Sequence, residues 1–106
     1  MKERKAWHGR IIDGQKAEYK RRHDHIWPEM KALLKEAGIS NYTIWAEGNE
    51  LFGYYECDMG LEYADRVQAQ SEIVDRWNGY MKDVLILDMD PETGAQPEMD
   101  MMFYLE

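Results

Sequence analysis

NYTIWAEGNELFGYYEC, residues 41–57, holds two runs of β-branched and aromatic side chains around a Glu-Gly-Asn-Glu centre. Asn41 to Ala46 and Leu51 to Cys57 favour an extended backbone, on whose pleated surface such side chains pack well. The Gly-Asn within Glu47 to Glu50 is a short chain reversal, so the two runs are predicted to pair as an antiparallel hairpin.

Upstream of the hairpin, Lys5 to Ile12 alternates, with Trp7 and Ile11 on one face and His8 and Arg10 on the other, which predicts a strand. Asp13-Gly14 ends it with turn chemistry. Gln15 to about His23 reads as a helix. A second helix starts at Pro28, a good first helical residue, and runs to Gly38, which suits the position just past a helix end. Proline disfavours helical geometry at Trp27, so the helical region is broken or kinked between His23 and Pro28. Met30, Leu33, Leu34 and Ala37 form the apolar stripe of the second piece.

Downstream, Leu61 to Tyr80 carries Tyr63, Val67, Ile73 and Trp77 at helical spacing, with an interruption near Ser71, where Ser-Glu-Ile-Val opens a fresh turn. Met81 to Leu87 is ambiguous. Asp88 to Glu98, with Pro91, Gly94 and Pro97, is read as a loop, and MDMMFYLE at residues 99–106 as a final strand. The order β-α-β-β-α-β predicts an α+β, ferredoxin-like sheet with helices on one face. Its other face, with aromatics such as Trp45, needs a cover. A second copy of the same sheet supplies one, giving a homodimer built as a dimeric α/β barrel.

With 106 residues the chain is read as one domain spanning residues 1–106. A net charge of −8 repels a phosphate backbone and the 13 Lys and Arg are scattered, so no nucleic-acid partner is expected. No stretch approaches the ~18 consecutive apolar residues of a membrane span, so no membrane partner is expected either. The single Cys57 and the absence of an apolar leader in MKERKAWHGRI make the cytoplasm the expected compartment. Four Trp, seven Tyr and eight Met supply enough large apolar surface for a pocket or a subunit interface, although a core of large residues uses the same composition.

The densest chemistry lies in YKRRHDHIWPEM, residues 19–30. On a helix Tyr19 and His23 are four apart and share a face, which brings a phenol and an imidazole together as an acid/base pair. An imidazole titrates near ~6.5 without tuning and suits proton transfer at neutrality. A helix-end histidine that only bonds the last carbonyls fits the same spacing, and spacing leaves both readings open. His23 and His25 diverge on a helix and have no matching Cys or His cluster elsewhere, so no metal is expected. His8, on a strand, has a structural role as its simplest reading. Asn-Tyr at 41–42 and Arg-Trp-Asn-Gly-Tyr-Met at 76–81 add aromatic rings beside amides, the surfaces that stack on and hydrogen-bond a sugar, or that pack a core.

Taken together, YKRRHDHIWPEM, NYTI at 41–44, RWNGYM at 76–81 and FYL at 103–105 resemble the L-rhamnose mutarotase family in order and spacing. The resemblance implies a dimeric, ferredoxin-like α/β isomerase that interconverts the α and β anomers of L-rhamnose without a cofactor. It further implies that His23 is the proton donor and that Tyr19, Tyr42, Trp77 and Asn78 contact the sugar. Asn78 departs from the two adjacent tryptophans usual in the family, replacing an apolar wall with a short amide, and so bears on which sugar is preferred. Two rival readings use the same residues. One is a cofactor-free or haem-using oxygenase on the same dimeric fold, and the other a non-enzymatic sugar-binding dimer.

Overall fold

The computed structural model describes residues 2–87, 92 and 99–106. Its elements run β1 (Glu3–Ile11), α1 (Lys16–Asp24), α2 (Pro28–Glu36), β2 (Ile39–Glu47), β3 (Glu50–Cys57), α3 (Leu61–Ala69), α4 (Glu72–Met81) and β4 (Leu85–Ile86). The strands form a curled antiparallel sheet in the order β2-β3-β1-β4.

The hairpin forms as its sequence demands. Glu47 pairs with Glu50 across Gly48-Asn49, and Gly48 takes φ 59°, a left-handed position that costs glycine least. Along β1 the alternation is equally plain, with Lys5, Trp7, Gly9 and Ile11 buried beneath the helices while Ala6, His8 and Arg10 face the other way. Trp7 lies opposite Gly53 of β3, and any side chain at residue 53 would overlap the indole ring. Glycine there is a requirement of packing.

The helical region breaks where Pro28 dictates. Trp27 adopts φ −59° and ψ 135°, an extended conformation, and Pro28 opens α2 at a position where its missing N–H removes no bond. α2 buries Met30 and Leu33, with Ala37 enclosed just past its end. Fully burying a leucine or methionine side chain stabilises by about 1.5–3 kcal/mol, so this helix anchors itself. α1 is different. Tyr19 is its sole buried residue, and polar links hold the rest. Glu18 accepts from Arg21 and Arg22, and Arg22 reaches across to donate to Tyr80 O and Asp83 Oδ1, both at 2.7 Å. Ser71 separates α3 from α4 and caps the latter by accepting from the N–H groups of Ile73 and Val74.

The expected final strand does not form. Residues 99–106 form no strand, and the short fourth strand is instead Leu85–Ile86, within the segment whose pattern was ambiguous. Met99 N donates to Ala6 O at 3.0 Å, and Arg4 lies over the Tyr104 ring at 4.2 Å, so the segment runs beside β1. Met102, Phe103 and Leu105 are exposed and join no strand ladder. The loop read at Asp88 to Glu98 lies outside the described residues apart from Glu92, which stands in a turn. Among the described residues no helix is long and apolar enough to cross a membrane.

Candidate active site

α1, α4 and the start of β2 converge on the helix-covered side of the sheet. One turn of α1 separates Tyr19 and His23, and their rings stack with centroids 4.4 Å apart. His23 Nδ1 lies 3.2 Å from the carbonyl oxygen of Tyr19. A carbonyl only accepts, so Nδ1 carries the hydrogen and Nε2 is left as the basic nitrogen of the neutral ring. Burial lowers the His23 pKa, with the Tyr19 carbonyl and Asp24 opposing it less strongly. The imidazole is therefore neutral and basic around neutrality.

α4 supplies Trp77, buried, with its ring edge-on to His23 at 5.5 Å. The extended turn before Pro28 swings Trp27 back against Trp77 at 5.1 Å and Tyr80 at 5.4 Å. His23, Trp77, Trp27 and Tyr80 thus form one aromatic wall, braced by Arg22 on the Tyr80 ring at 4.5 Å.

β2 contributes Tyr42. Its hydroxyl accepts from Trp7 Nε1 at 3.1 Å, and its ring lies 4.9 Å from that of Tyr55. The indole only donates, so the Tyr42 O–H proton stays available to a ligand. Burial pushes the Tyr42 phenol up to about 12 and raises Tyr19 further, with Tyr42 adding to the shift at Tyr19. Both phenols keep their protons at any physiological pH. As a residue Tyr42 nevertheless remains 37% exposed, although its hydroxyl end is enclosed. An apolar groove of about 570 Å³ opens beside Tyr19, lined by Ile11, Ile44, Ala46 and Leu51 and edged by Lys16 and Lys20.

Of the residues singled out in the sequence, Tyr19, His23 and Trp77 come together, while Tyr42 lies against Trp7 and Tyr55 on the same side of the sheet. Asn78 follows Trp77 on α4 and is exposed, so it stands to one side of the ring wall. His25 is exposed at the end of α1, apart from the cluster. His8 sits on the opposite face of the sheet, 3.4 Å from Glu50 and against the Phe52 ring at 5.2 Å. In the sequence Trp7 reads only as a strand residue, while Trp27 and Tyr80 lie in the singled-out stretches 19–30 and 76–81 without being named as site residues themselves. For Trp27 the signal was present, since a proline after it forces the backbone that turns it inward.

The sequence profile described as L-rhamnose mutarotase matches residues 4–105. An L-rhamnose mutarotase of Formosa agariphila is 36% identical over 106 residues, covering 98% of this chain and 99% of its own. Another, from Lachnoclostridium phytofermentans, is 40% identical over 89 residues, covering 82% of this chain and 84% of its own. The crystal structure of an L-rhamnose mutarotase from Formosa agariphila superposes with a TM-score of 0.79 at 34% identity, over 98% of this chain and 99% of that one.

Proposed function

The chain belongs to the L-rhamnose mutarotase family, and from that premise we propose that it is the isomerase that interconverts the α and β anomers of L-rhamnose, with His23 transferring the proton. The observation that carries the chemical part is the Tyr19–His23 pair, in which the backbone carbonyl fixes one ring nitrogen as donor and leaves the other basic.

Mutarotation needs the anomeric hydroxyl to lose a proton while the ring oxygen gains one. The C1–O5 bond then breaks, the aldehyde turns about C1–C2, and closure on its other face reverses both proton transfers. Neutral His23 Nε2 accepts the proton in one direction, and the imidazolium returns it in the other. Tyr19 and Tyr42 remain protonated and serve as hydrogen-bond donors to sugar oxygens, while solvent relays the second proton. Trp77 offers an apolar ring for the C–H face of the sugar. Asn78 stands at the margin, where it bears on the C5 substituent. An uncharged sugar is indifferent to the protein's negative charge, which is consistent with this substrate.

Beyond the chemistry, we assign the sheet to the ferredoxin-like arrangement, supported by the order β2-β3-β1-β4. A homodimer through the helix-free face is supported by Trp45, 70% exposed on that face, and by Phe52 beside it. The lone, buried Cys57 thiol is consistent with a cytoplasmic setting. The test of the activity is anomer exchange, read by saturation-transfer NMR on L-rhamnose and on hexoses that carry a hydroxymethyl at C5. Exchange above the buffer rate, fastest with L-rhamnose, supports the assignment. Binding without exchange overturns it in favour of a sugar-binding protein.

A further inference from the structure

The pairing of β2 with β3 slips at one place. Ile39 opposes Cys57 and Ser40 opposes Glu56, yet the next matched pair is Thr43 with Tyr54, so Asn41 and Tyr42 share the space opposite Tyr55 alone. This is a β-bulge, one extra residue that reverses which face each later side chain takes. Counting from buried Ile39, strict alternation would turn Ser40 and Tyr42 to the helix-free face. Beyond the slip, Thr43 and Trp45 sit on that face while Ile44 faces Gly53 on the helix side, and Tyr42 reaches inward to Trp7 and Tyr55.

Asn41 carries the bulge. It has φ 49° and is the one non-glycine residue with positive φ among those described. Asparagine tolerates this left-handed conformation, and a β-branched residue does not. Its side chain is tied down as well, since Asn41 Nδ2 donates to Glu56 Oε1 at 2.9 Å. Glu56 is itself held by the Tyr54 hydroxyl on Oε2 at 2.8 Å and by Lys2 at 3.1 Å. These donors keep its carboxyl at about 2, so the anchor stays charged at every working pH.

We propose that Asn41 is a positioning residue for the reaction: by holding a left-handed bulge against Glu56, it turns Tyr42 from the open face of the sheet into the sugar site. The inference rests on the assignment of Tyr42 as a sugar contact. It uses no contact between Asn41 and the substrate.

The test compares Asn41→Gly, which keeps the left-handed backbone, with Asn41→Val, which opposes it. Two readouts are taken, the Trp7 indole N–H resonance, which reports the Tyr42 hydroxyl directly, and KM for L-rhamnose in anomer exchange. Asn41→Val should move the indole resonance toward its position in Tyr42→Phe. It should also raise KM by about three- to tenfold, the loss of one neutral hydrogen bond, with little further rise in the Asn41→Val/Tyr42→Phe double variant. Asn41→Gly, which keeps the left-handed backbone but loses the bond to Glu56, should move both readouts clearly less than Asn41→Val does. An indole resonance unmoved in folded Asn41→Val, or KM effects that multiply in the double variant, overturns the positioning role. A resonance that moves as expected while KM stays constant in both Asn41→Val and Tyr42→Phe also overturns it, because Tyr42 would then be no sugar contact, while the rest of the mutarotase assignment stands.

Discussion

His23 Nδ1 is held 3.2 Å from the carbonyl oxygen of Tyr19, one helical turn earlier, while its ring stacks on the Tyr19 phenol. The bond that ordinarily finishes a helix end here selects the tautomer of the proposed proton carrier. The contact that a purely structural helix-end histidine makes therefore also leaves Nε2 free for the proposed role.

The burial of His23 has a pH signature. Burial lowers the folded pKa of His23 below the ~6.5 of a free imidazole. The basic form therefore persists as pH falls through about 6.5, and the exchange rate should hold there and decline only at lower pH. For stability the sign is fixed by proton binding: below the unfolded value the unfolded chain takes up more protons than the folded one. His23 then opposes folding increasingly as pH drops from about 6.5 toward its folded pKa, and has no such effect above it. Denaturant unfolding of wild type and His23→Asn across this range should show that part of the acid sensitivity vanishing in the variant.

The helix-free face makes a second expectation. Trp45 is 70% exposed there, so Trp45→Asp should leave the monomer's fold intact and remove the partner. Deleting residues 101–106, which are exposed and run beside β1, should weaken the same association. Sedimentation should give monomer for Trp45→Asp, and an unchanged dimer would mean that another surface mediates assembly.

Asn78 is the place where specificity should yield. Asn78→Trp adds an apolar wall next to Trp77 and should favour the C5 methyl of L-rhamnose over a hydroxymethyl by up to about tenfold in kcat/KM. An unchanged ratio would show that residue 78 stays clear of the substituent, as its exposure on α4 permits.

Much of this was legible in residues 41–57 and 19–30. Gly48-Asn49 marks a hairpin by turn chemistry alone, Pro28 breaks the helix by sterics, and Tyr19 and His23 meet because four residues make about one turn. What was not legible depends on partners distant in sequence. The Asn41 bulge exists only in the register of β2 against β3, and a left-handed asparagine leaves no periodic trace. β4 is two residues long, below what alternation can reveal. The 99–106 segment has strand-forming side chains, but composition does not say whether an edge is available to pair with. Trp27 and Tyr80 join the site through the packing of α1 on α4, which Arg22 sets from 58 and 61 residues away in sequence.

The most direct measurement is L-rhamnose anomer exchange by saturation-transfer NMR in His23→Asn, beside His25→Asn as control. With fold and assembly intact, His23→Asn should lower the exchange rate by about 10²–10⁴-fold, the range typical of a lost general acid or base, while His25→Asn, exposed at the helix end, stays near wild type. Near wild-type exchange in folded His23→Asn would contradict the account and remove His23 from the proton transfer.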